Sequence, residues 1–483
     1  MSAHQPRLGS YLHTPGYSRI ESPTLRIQPH LHLEEQTSSA TDAAHTGWFS
    51  HLAPAIVQPN SARTRKLRVV LYSHDTMGLG HKRRNLLIAQ TLAQSALPTD
   101  ILLISGMSEA SNLHIPDGVD YVALPALHKG TNGEYQSRRL DLSLQHIVNL
   151  RANIIRATVE SFQPDVFIVD NVPRGAIREL DLTLEYLHTQ TDTRCVLGLR
   201  DVLDDPIKVQ HEWQQAANEE IIRKYYDAVW IYGDPRISDL VEECKFSPDI
   251  AAKVRYTGCF DQRKRLEFVD NSEIDLLARL NLPPGRLALC LVGGGQDGDK
   301  LAETFAQTTL PPDTNGVILT GPFMPLSVRQ HLHEMAAKHP RLRVLEFLAE
   351  PTQLLNRADC VITMGGYNTT YEVLSFDKPA LIVPRVKPRR EQLIRAKRLQ
   401  DLGLIDMLHP DDVTPTALSE WLSRTIGTST HRRDRIDFHG LARLPHFLES
   451  VVASPVVSMA NAPVMSLMDK TDQIGAGLVQ LVV

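Results

Sequence analysis

The sequence predicts an α/β protein built from two Rossmann-like, doubly wound domains in series, facing each other across a cleft. Three observations carry this expectation. Short, almost continuous apolar runs recur along the chain, as strands buried on both faces of a parallel sheet require. Helix-length segments with an apolar face lie between them, so the order reads strand, helix, strand. The alternation breaks once, near Asn281-Leu-Pro-Pro-Gly285, and then restarts.

In the first domain, residues 67–73 (LRVVLYS) form the opening strand, and 101–105, 119–124, 165–170, 194–199 and 228–232 have the same character. Helices are expected over 82–94, where Leu86, Leu87, Ala89 and Leu92 share a face, and over 140–162 and 212–225. In the second domain the strand-like runs are 287–292, 316–320, 342–347, 359–363 and 380–383. Helices are expected there over 300–306, 326–337, 369–376 and 391–402. The organisation is therefore a disordered tail over 1–65, a first domain over 66–258, a linker over 259–285 and a second domain over 286–430. Residues 431–483 form a last segment packed in part on the body.

Composition narrows the function. Of 483 residues, 42% are apolar and 22% charged, as in ordinary globular chains, and the formal net charge is −5. That balance excludes a surface basic throughout, so no nucleic-acid partner is expected. No run approaches the ~20 apolar residues of a membrane-spanning helix. Residues 1–20 lack the apolar stretch of a secretory signal. The five cysteines form no CxxC pair and sit mostly in or beside apolar runs. Reduced, buried thiols in a cytoplasmic protein are the expectation, with no zinc site.

In open α/β sheets ligands bind beyond the carboxyl ends of strands, so the loops after each strand are where chemistry is expected. The first strand runs into Tyr72-Ser-His-Asp-Thr-Met-Gly-Leu-Gly-His81-Lys-Arg-Arg-Asn85. Gly78 and Gly80 allow a tight turn and close approach of a ligand, and His81 falls at a helix start. His81 reads either as a general base at the cleft or as a capping residue of a βα turn. The second domain opens with Leu291-Val-Gly-Gly-Gly295-Gln-Asp-Gly298. The backbone N–H groups of Gly293, Gly294 and Gly295 suit a diphosphate. Asp297-Gly-Asp299 spells a D-x-D, more simply explained by acids complementing a first helical turn, so no metal is expected.

Cys360-Val-Ile-Thr-Met-Gly-Gly-Tyr-Asn-Thr-Thr-Tyr-Glu-Val-Leu374 is the most informative stretch. Gly365, Gly366, Asn368 and Thr369 precede or open a helix whose free N–H groups point at an anion. Glu372 lies one turn in and suits two ribose hydroxyls, although Thr369-x-x-Glu372 also has the spacing of a capping box. Leu381-Ile-Val-Pro384-Arg-Val-Lys-Pro-Arg-Arg-Glu391-Gln392 brings a basic loop to a helix start. Glu391 and Gln392 suit sugar hydroxyls, and Arg385, Lys387, Arg389 and Arg390 suit diphosphate or acceptor charge. Gly321, in Thr320-Gly-Pro322, and Phe347, in Glu346-Phe-Leu348, end two more strands and frame a base. On the first domain's rim, Asp170 ends a strand and suits orienting His81, while Arg200 and Asp201 suit the acceptor.

With these residues collected, the chain resembles a GT-B fold glycosyltransferase over residues 66–430. It is most similar to the group that contains the lipid-linked N-acetylglucosaminyl transferase of peptidoglycan synthesis. The Tyr72–Asn85 stretch resembles the opening of a set of predicted bacterial glycosyltransferases, and residues 346–402 resemble the donor half of the group. The resemblance implies a nucleotide-sugar donor, UDP-linked, on the second domain and an acceptor on the first. It puts Gly365, Gly366, Asn368 and Thr369 at the diphosphate, Glu372 at the ribose, Glu391 and Gln392 at the donor sugar and His81 at the base. The family usually has Asp where Glu391 stands.

The Glu-x7-Glu of the commonest retaining relatives is missing: Met364 and Ala380 stand eight residues either side of Glu372. Inverting, metal-independent transfer of a hexose or N-acetylhexosamine, with no cofactor, is the resulting expectation. The acceptor class stays open among polysaccharide, lipid-linked and small-molecule hydroxyls, and a peripheral membrane contact goes with the lipid-linked case. Two alternatives stand beside it: a UDP-sugar 2-epimerase on the same fold, and a non-catalytic nucleotide-sugar-binding protein. A P-loop kinase is excluded because no G-x-x-x-x-G-K-[ST] occurs.

Overall fold

Each half of the chain is a parallel sheet whose strand order reverses once, and the two reversals set where the cleft lies. The computed structural model describes residues 65–74, 80–106, 115–129, 134–268, 279–295, 297–348 and 350–454. Gly78, nearly all of the tail expected over 1–65, and residues 455–483 of the last segment lie outside the described residues.

The first half runs β1 (Leu67–Ser73), α1 (Gly80–Ala93), β2 (Thr99–Ser105), β3 (Val119–Ala123), a hairpin of β4 (Leu127–Lys129) and β5 (Tyr135–Ser137), then α2 (Leu144–Phe162) and β6 (Val166–Asp170). It continues with α3 (Asp181–Gln190), β7 (Arg194–Arg200), α4 (Pro206–Gln215), α5 (Asn218–Tyr225), β8 (Ala228–Tyr232), α6 (Leu240–Cys244), α7 (Pro248–Lys253) and β9 (Val254–Tyr256). The second half runs β10 (Arg286–Leu291), α8 (Asp299–Ala306), β11 (Thr314–Leu319), α9 (Leu326–Ala337), β12 (Leu342–Leu345), α10 (Thr352–Arg357) and β13 (Cys360–Thr363). It ends with α11 (Tyr367–Ser375), β14 (Ala380–Ile382), α12 (Glu391–Asp401), β15 (Asp406–Met407), α13 (Pro415–Thr425) and α14 (Gly440–Ala453).

The first sheet has the order β3-β2-β1-β6-β7-β8-β9 and the second β12-β11-β10-β13-β14-β15. Their neighbouring strands pair in parallel throughout. Two doubly wound parallel sheets are the expected fold class. The strand interiors explain it: every residue of β6 and of β8 is buried, so neither face of the first sheet is left to water. The order reverses between β1 and β6 in the first sheet and between β10 and β13 in the second. A crevice opens beyond the strand ends at such a reversal.

Several elements differ from the sequence expectation for local reasons. The helix expected over 140–162 begins only at Leu144, because the Ser143 side chain accepts from His146 N and caps it. The helix expected over 212–225 is broken, since Ala217 takes a left-handed conformation, φ 50°, between α4 and α5. The edge strands β9 and β15 have three and two residues, too short to give an apolar run.

The last helix returns to the first half. His439, at its start, bridges Phe260. Phe447 packs on Trp230 at 5.9 Å between ring centroids, and Arg443 donates to Thr257 O at 2.7 Å. All five cysteines are free and buried. Among the described residues no helix is long and apolar enough to cross a membrane.

Candidate active site in the cleft between the sheets

The start of α1 and the end of β7 face the loops after β10, β11, β12 and β13 across a cavity of ≈ 240 Å³. From the first half it is lined by Gly80, His81 and Arg200, with Arg83 and Arg84. From the second it is lined by Gly293, Gly294, Gly321 and Phe347, and by Gly366, Asn368, Thr369 and Glu372 around the start of α11. Loops more than two hundred residues apart in sequence thus meet at one place.

The start of α11 is bare backbone. Gly366 is its N-cap, with no side chain capping the helix, and a Cβ added there would meet nothing within 4 Å. The first N–H groups of the helix are left for a ligand. Thr369 is therefore inside the helix and makes no capping box with Glu372. Asn368 spans the cleft, its amide donating to Gly80 O at 2.8 Å.

The glycines divide into two kinds. Gly293 has φ +63° and open space around it. Gly321 (φ +78°) lies against Gly293 O, where a Cβ would come within 2.3 Å. Gly295 and Gly365 do not line the cavity. A Cβ on Gly295 (φ +88°) would fall 2.1 Å from Thr320 O, and one on Gly365 (φ +75°) would fall 2.5 Å from Ile382. At both positions the turn itself requires glycine, and neither residue, expected to bind donor, lines the cavity.

On the facing side the site is made of charge. His81, the second residue of α1, sets Nδ1 2.5 Å from Asp170 Oδ2. Asp170 ends β6 fully buried, and Arg84, one turn after His81, holds both its oxygens at 2.6 Å. Burial alone would raise the Asp170 carboxyl, but Arg84 and then His81 outweigh it and hold it well below the usual carboxylate range. Nδ1 also lies 3.0 Å from Arg84 Nη2, and a proton on Nδ1 is the arrangement that the ionised carboxylate favours, leaving Nε2 towards the cleft as the acceptor nitrogen in that tautomer. Behind His81 lies His74, its ring 4.9 Å away, buried, and with no partner for its Nδ1. Burial first, and then His81, lowers the His74 pKa well below the ordinary histidine value.

Other expected contacts are committed elsewhere. Glu372 is buried and ion-paired with Arg83 at 2.7 Å, and Arg83 also holds Glu350 at 2.6 Å. Arg265, squeezed by burial and by Arg83, is pushed down to about 10. Asp201 was expected at the acceptor. Instead it is fully buried, paired with Arg395 at 2.7 Å and accepting from Tyr371 at 2.6 Å, so it braces the two halves. Glu391 and Gln392 do not line the cavity. Glu391 pairs with Arg385 at 2.7 Å, and Gln392 Oε1 accepts from Arg385 N at 2.9 Å.

Three of the four basic residues of the loop, all but the exposed Lys387, are already paired with carboxylates. Arg389 pairs with Glu212 at 2.9 Å, Arg390 with Asp205 at 3.3 Å, and Arg385 also with Asp297 at 3.1 Å. The D-x-D is explained by that last pair and by Asp299 in the first turn of α8. Among the described residues no group of three or more His, Cys, Asp or Glu is arranged to hold a metal ion.

Sequence reasoning gave no role to His74, Arg83, Arg84, Tyr367 or Arg395. Arg84 had a signal: it lies three residues after His81 and so shares its helix face. Tyr367 had none, since its hydroxyl donates to Tyr232 O at 2.7 Å, 135 residues away.

Residues 288–435 match the glycosyltransferase family 28 C-terminal domain. An NDP-glycosyltransferase of Bacillus licheniformis is 40% identical over 75 residues, 16% of this chain and 18% of that one. The UDP-N-acetylglucosamine–N-acetylmuramyl-(pentapeptide) pyrophosphoryl-undecaprenol N-acetylglucosamine transferase of Rubrobacter xylanophilus is 24% identical over 169 residues, 35% of this chain and 48% of that one. The chain thus spans half or less of the length of these relatives. Among solved structures, a calicheamicin glycosyltransferase superposes with a TM-score of 0.52 at 14% identity, over 80% of this chain and 99% of that one. The UDP-GlcNAc 2-epimerase of Methanocaldococcus jannaschii gives 0.53 at 11%, over 80% and 100%. Such likenesses show the fold, and transferases and epimerases share it. Residues 288–435 thus match the glycosyltransferase family 28 C-terminal domain, in a chain with the GT-B fold and distant similarity to NDP-glycosyltransferases and N-acetylmuramyl-pyrophosphoryl-undecaprenol N-acetylglucosamine transferases.

Proposed function

We propose that the chain is an inverting, metal-independent glycosyltransferase that moves a hexose or N-acetylhexosamine from a nucleotide diphosphate sugar, UDP first, to an acceptor hydroxyl. One observation carries the reading. His81, held by a buried carboxylate, faces an uncapped helix start across a cavity lined with glycine. A proton acceptor and an anion receptor on opposite walls are what transfer from a diphosphate requires.

In this reading the second half holds the donor. The diphosphate lies on the N–H groups at the start of α11, with Asn368 and Thr369 beside it and Gly293, Gly294 and Gly321 giving it room. The base lies between Phe347 and the turn at Gly321. Glu372 reaches the ribose by sharing its carboxylate with Arg83, and Glu391 and Gln392 reach the sugar once their contacts with Arg385 open. The first half, with Gly80 at its rim, presents the acceptor. The acceptor oxygen attacks the anomeric carbon as the bond to the diphosphate breaks. The electron pair leaves with the diphosphate, and the hydroxyl proton passes to His81 Nε2. Asp170 fixes the tautomer through Nδ1–H and stabilises the imidazolium that forms.

The test is UDP release from UDP-glucose and UDP-N-acetylglucosamine in EDTA, with and without oligosaccharide, polyprenyl-phosphate and small polyol acceptors. Release stimulated by one acceptor class and unaffected by EDTA is expected. Loss of release in EDTA, restored by Mg²⁺ and abolished by Asp297→Ala, overturns the metal-free step. Formation of a 2-epimer from the UDP-sugar alone overturns transfer altogether.

A further inference from the structure

We infer that Arg200 of the first half, and not the basic loop at 385–390, is the cation that neutralises the departing diphosphate; this rests on the function proposed above. Arg200 ends β7 and lines the same cavity as Gly366 and His81. Charge around it closes in pairs. Arg84 is committed to Asp170, Arg395 to Asp201 and Arg385 to Glu391. Arg200 alone among these four arginines has no ion pair with any described residue, and its Nε is buried without a hydrogen-bond partner.

The two acids that act on it most, Glu391 and Asp170, are thus already taken. Burial, with Arg84 and Arg395 beside it, lowers the pKa of Arg200. A half-buried guanidinium held among like charges destabilises the empty cleft and gains most from an incoming anion. The planar fork suits two oxygens of a phosphoryl group. As the bond from the anomeric carbon to the diphosphate breaks, negative charge grows on the oxygen that leaves. A cation aimed there from the opposite wall acts more strongly in the transition state than in the ground state.

The experiment compares wild type, Arg200→Gln, Arg200→Lys and Arg389→Gln. UDP, inorganic pyrophosphate and uridine are titrated by calorimetry, and UDP release from UDP-glucose is measured with a neutral and an anionic acceptor. Arg200→Gln is expected to weaken UDP and pyrophosphate at least tenfold, to leave uridine unchanged, and to lower kcat with both acceptors. Arg200→Lys recovers part of each loss, and Arg389→Gln changes none of the three binding constants more than twofold. Without ligand, the melting temperature of Arg200→Gln stays equal to wild type or rises, because an unpaired charge is removed. A fall in that temperature marks a structural role and overturns the assignment. Unchanged UDP affinity with a loss confined to the anionic acceptor overturns it too, placing the anion on the acceptor. Failure of wild type to bind UDP or pyrophosphate sinks the transferase reading itself, and the assignment falls with it.

Discussion

The two walls of the cleft are made of different material. The wall from the second half presents backbone, glycines at 293, 294, 321 and 366 and the open start of α11, among mostly uncharged side chains such as Phe347, Asn368 and Thr369. The wall from the first half is side-chain charge: His81, Arg83, Arg84 and Arg200, all but the last with a carboxylate partner in another element. Backbone donors do not titrate and need no counter-ion, so they can wait for an anion at little cost. Buried side-chain charges must be paired or they destabilise the fold. The division fits a reaction in which one wall offers neutral donors to a diphosphate and the other supplies the groups that move a proton and balance charge.

The largest effect that tests this comparison is kinetic. His81→Ala is expected to lower acceptor-dependent UDP release by about 10²–10⁴-fold, the usual worth of a positioned general base. UDP affinity is expected to stay unchanged, because His81 faces the acceptor oxygen and makes no contact with the diphosphate in the proposed arrangement. The fold is expected to survive, since Asp170 keeps Arg84. Equal losses in turnover and in UDP affinity would dissolve the distinction between the walls.

The next effect is on stability. Arg395→Met leaves Asp201 buried with only Tyr371 as a side-chain partner. Breaking such a buried pair costs about 3–5 kcal/mol. Asp201→Leu combined with Arg395→Met is expected to recover most of it, read as the midpoint of urea unfolding. A loss below about 1 kcal/mol in the single variant is what a solvent-exposed pair gives, and would return Asp201 to the acceptor surface.

Two glycines sharpen the backbone wall. Gly295→Ala forces a side chain onto φ +88° and a Cβ onto Thr320 O. A cost of about 1–3 kcal/mol is expected, with nothing specific to UDP. Gly366→Ala has ordinary φ, −57°, and open space. Its stability is expected to fall by no more than about 1 kcal/mol, the ordinary worth of an N-cap residue. Its methyl group projects into the cavity, so UDP affinity is expected to fall several-fold. Calorimetry beside thermal melting separates the two.

The same contrast explains what was legible in the sequence. The strands were readable because an apolar run is a local property; 67–73 and 228–232 coincide with β1 and β8. The glycine turns were readable as turns, but which glycine faces the ligand depends on Thr320 and Ile382, on other strands. The charges were least legible. Glu372 and Asp201 look alike from spacing, and only the tertiary fold brings Arg83 to one and Arg395 to the other, 194 residues distant in the second case. Arg385, Arg389 and Arg390 look like a free basic loop until Glu212 and Asp205 are found beside them.

The smallest expected effect concerns His74, the one group of the charged wall that the fold keeps without a partner on Nδ1. Burial and His81 lower its pKa, so between that depressed value and ~6.5 the unfolded chain binds a proton that the folded chain does not. Stability is therefore lost as pH falls through ~6.5, by at most about 1.4 kcal/mol per pH unit for one proton, and is independent of this group above pH ~7. Asp170 does not confuse the window. Its depressed pKa contributes stability that is complete above the unfolded value of ~3.9 and is lost only as pH falls below it. His74→Phe removes the titrating group and an unsatisfied nitrogen together. Urea midpoints at pH 5.5 and 7.5 are expected to converge in the variant relative to wild type. Parallel shifts in the two proteins would mean that the acid sensitivity comes from other groups and would overturn the role given to His74.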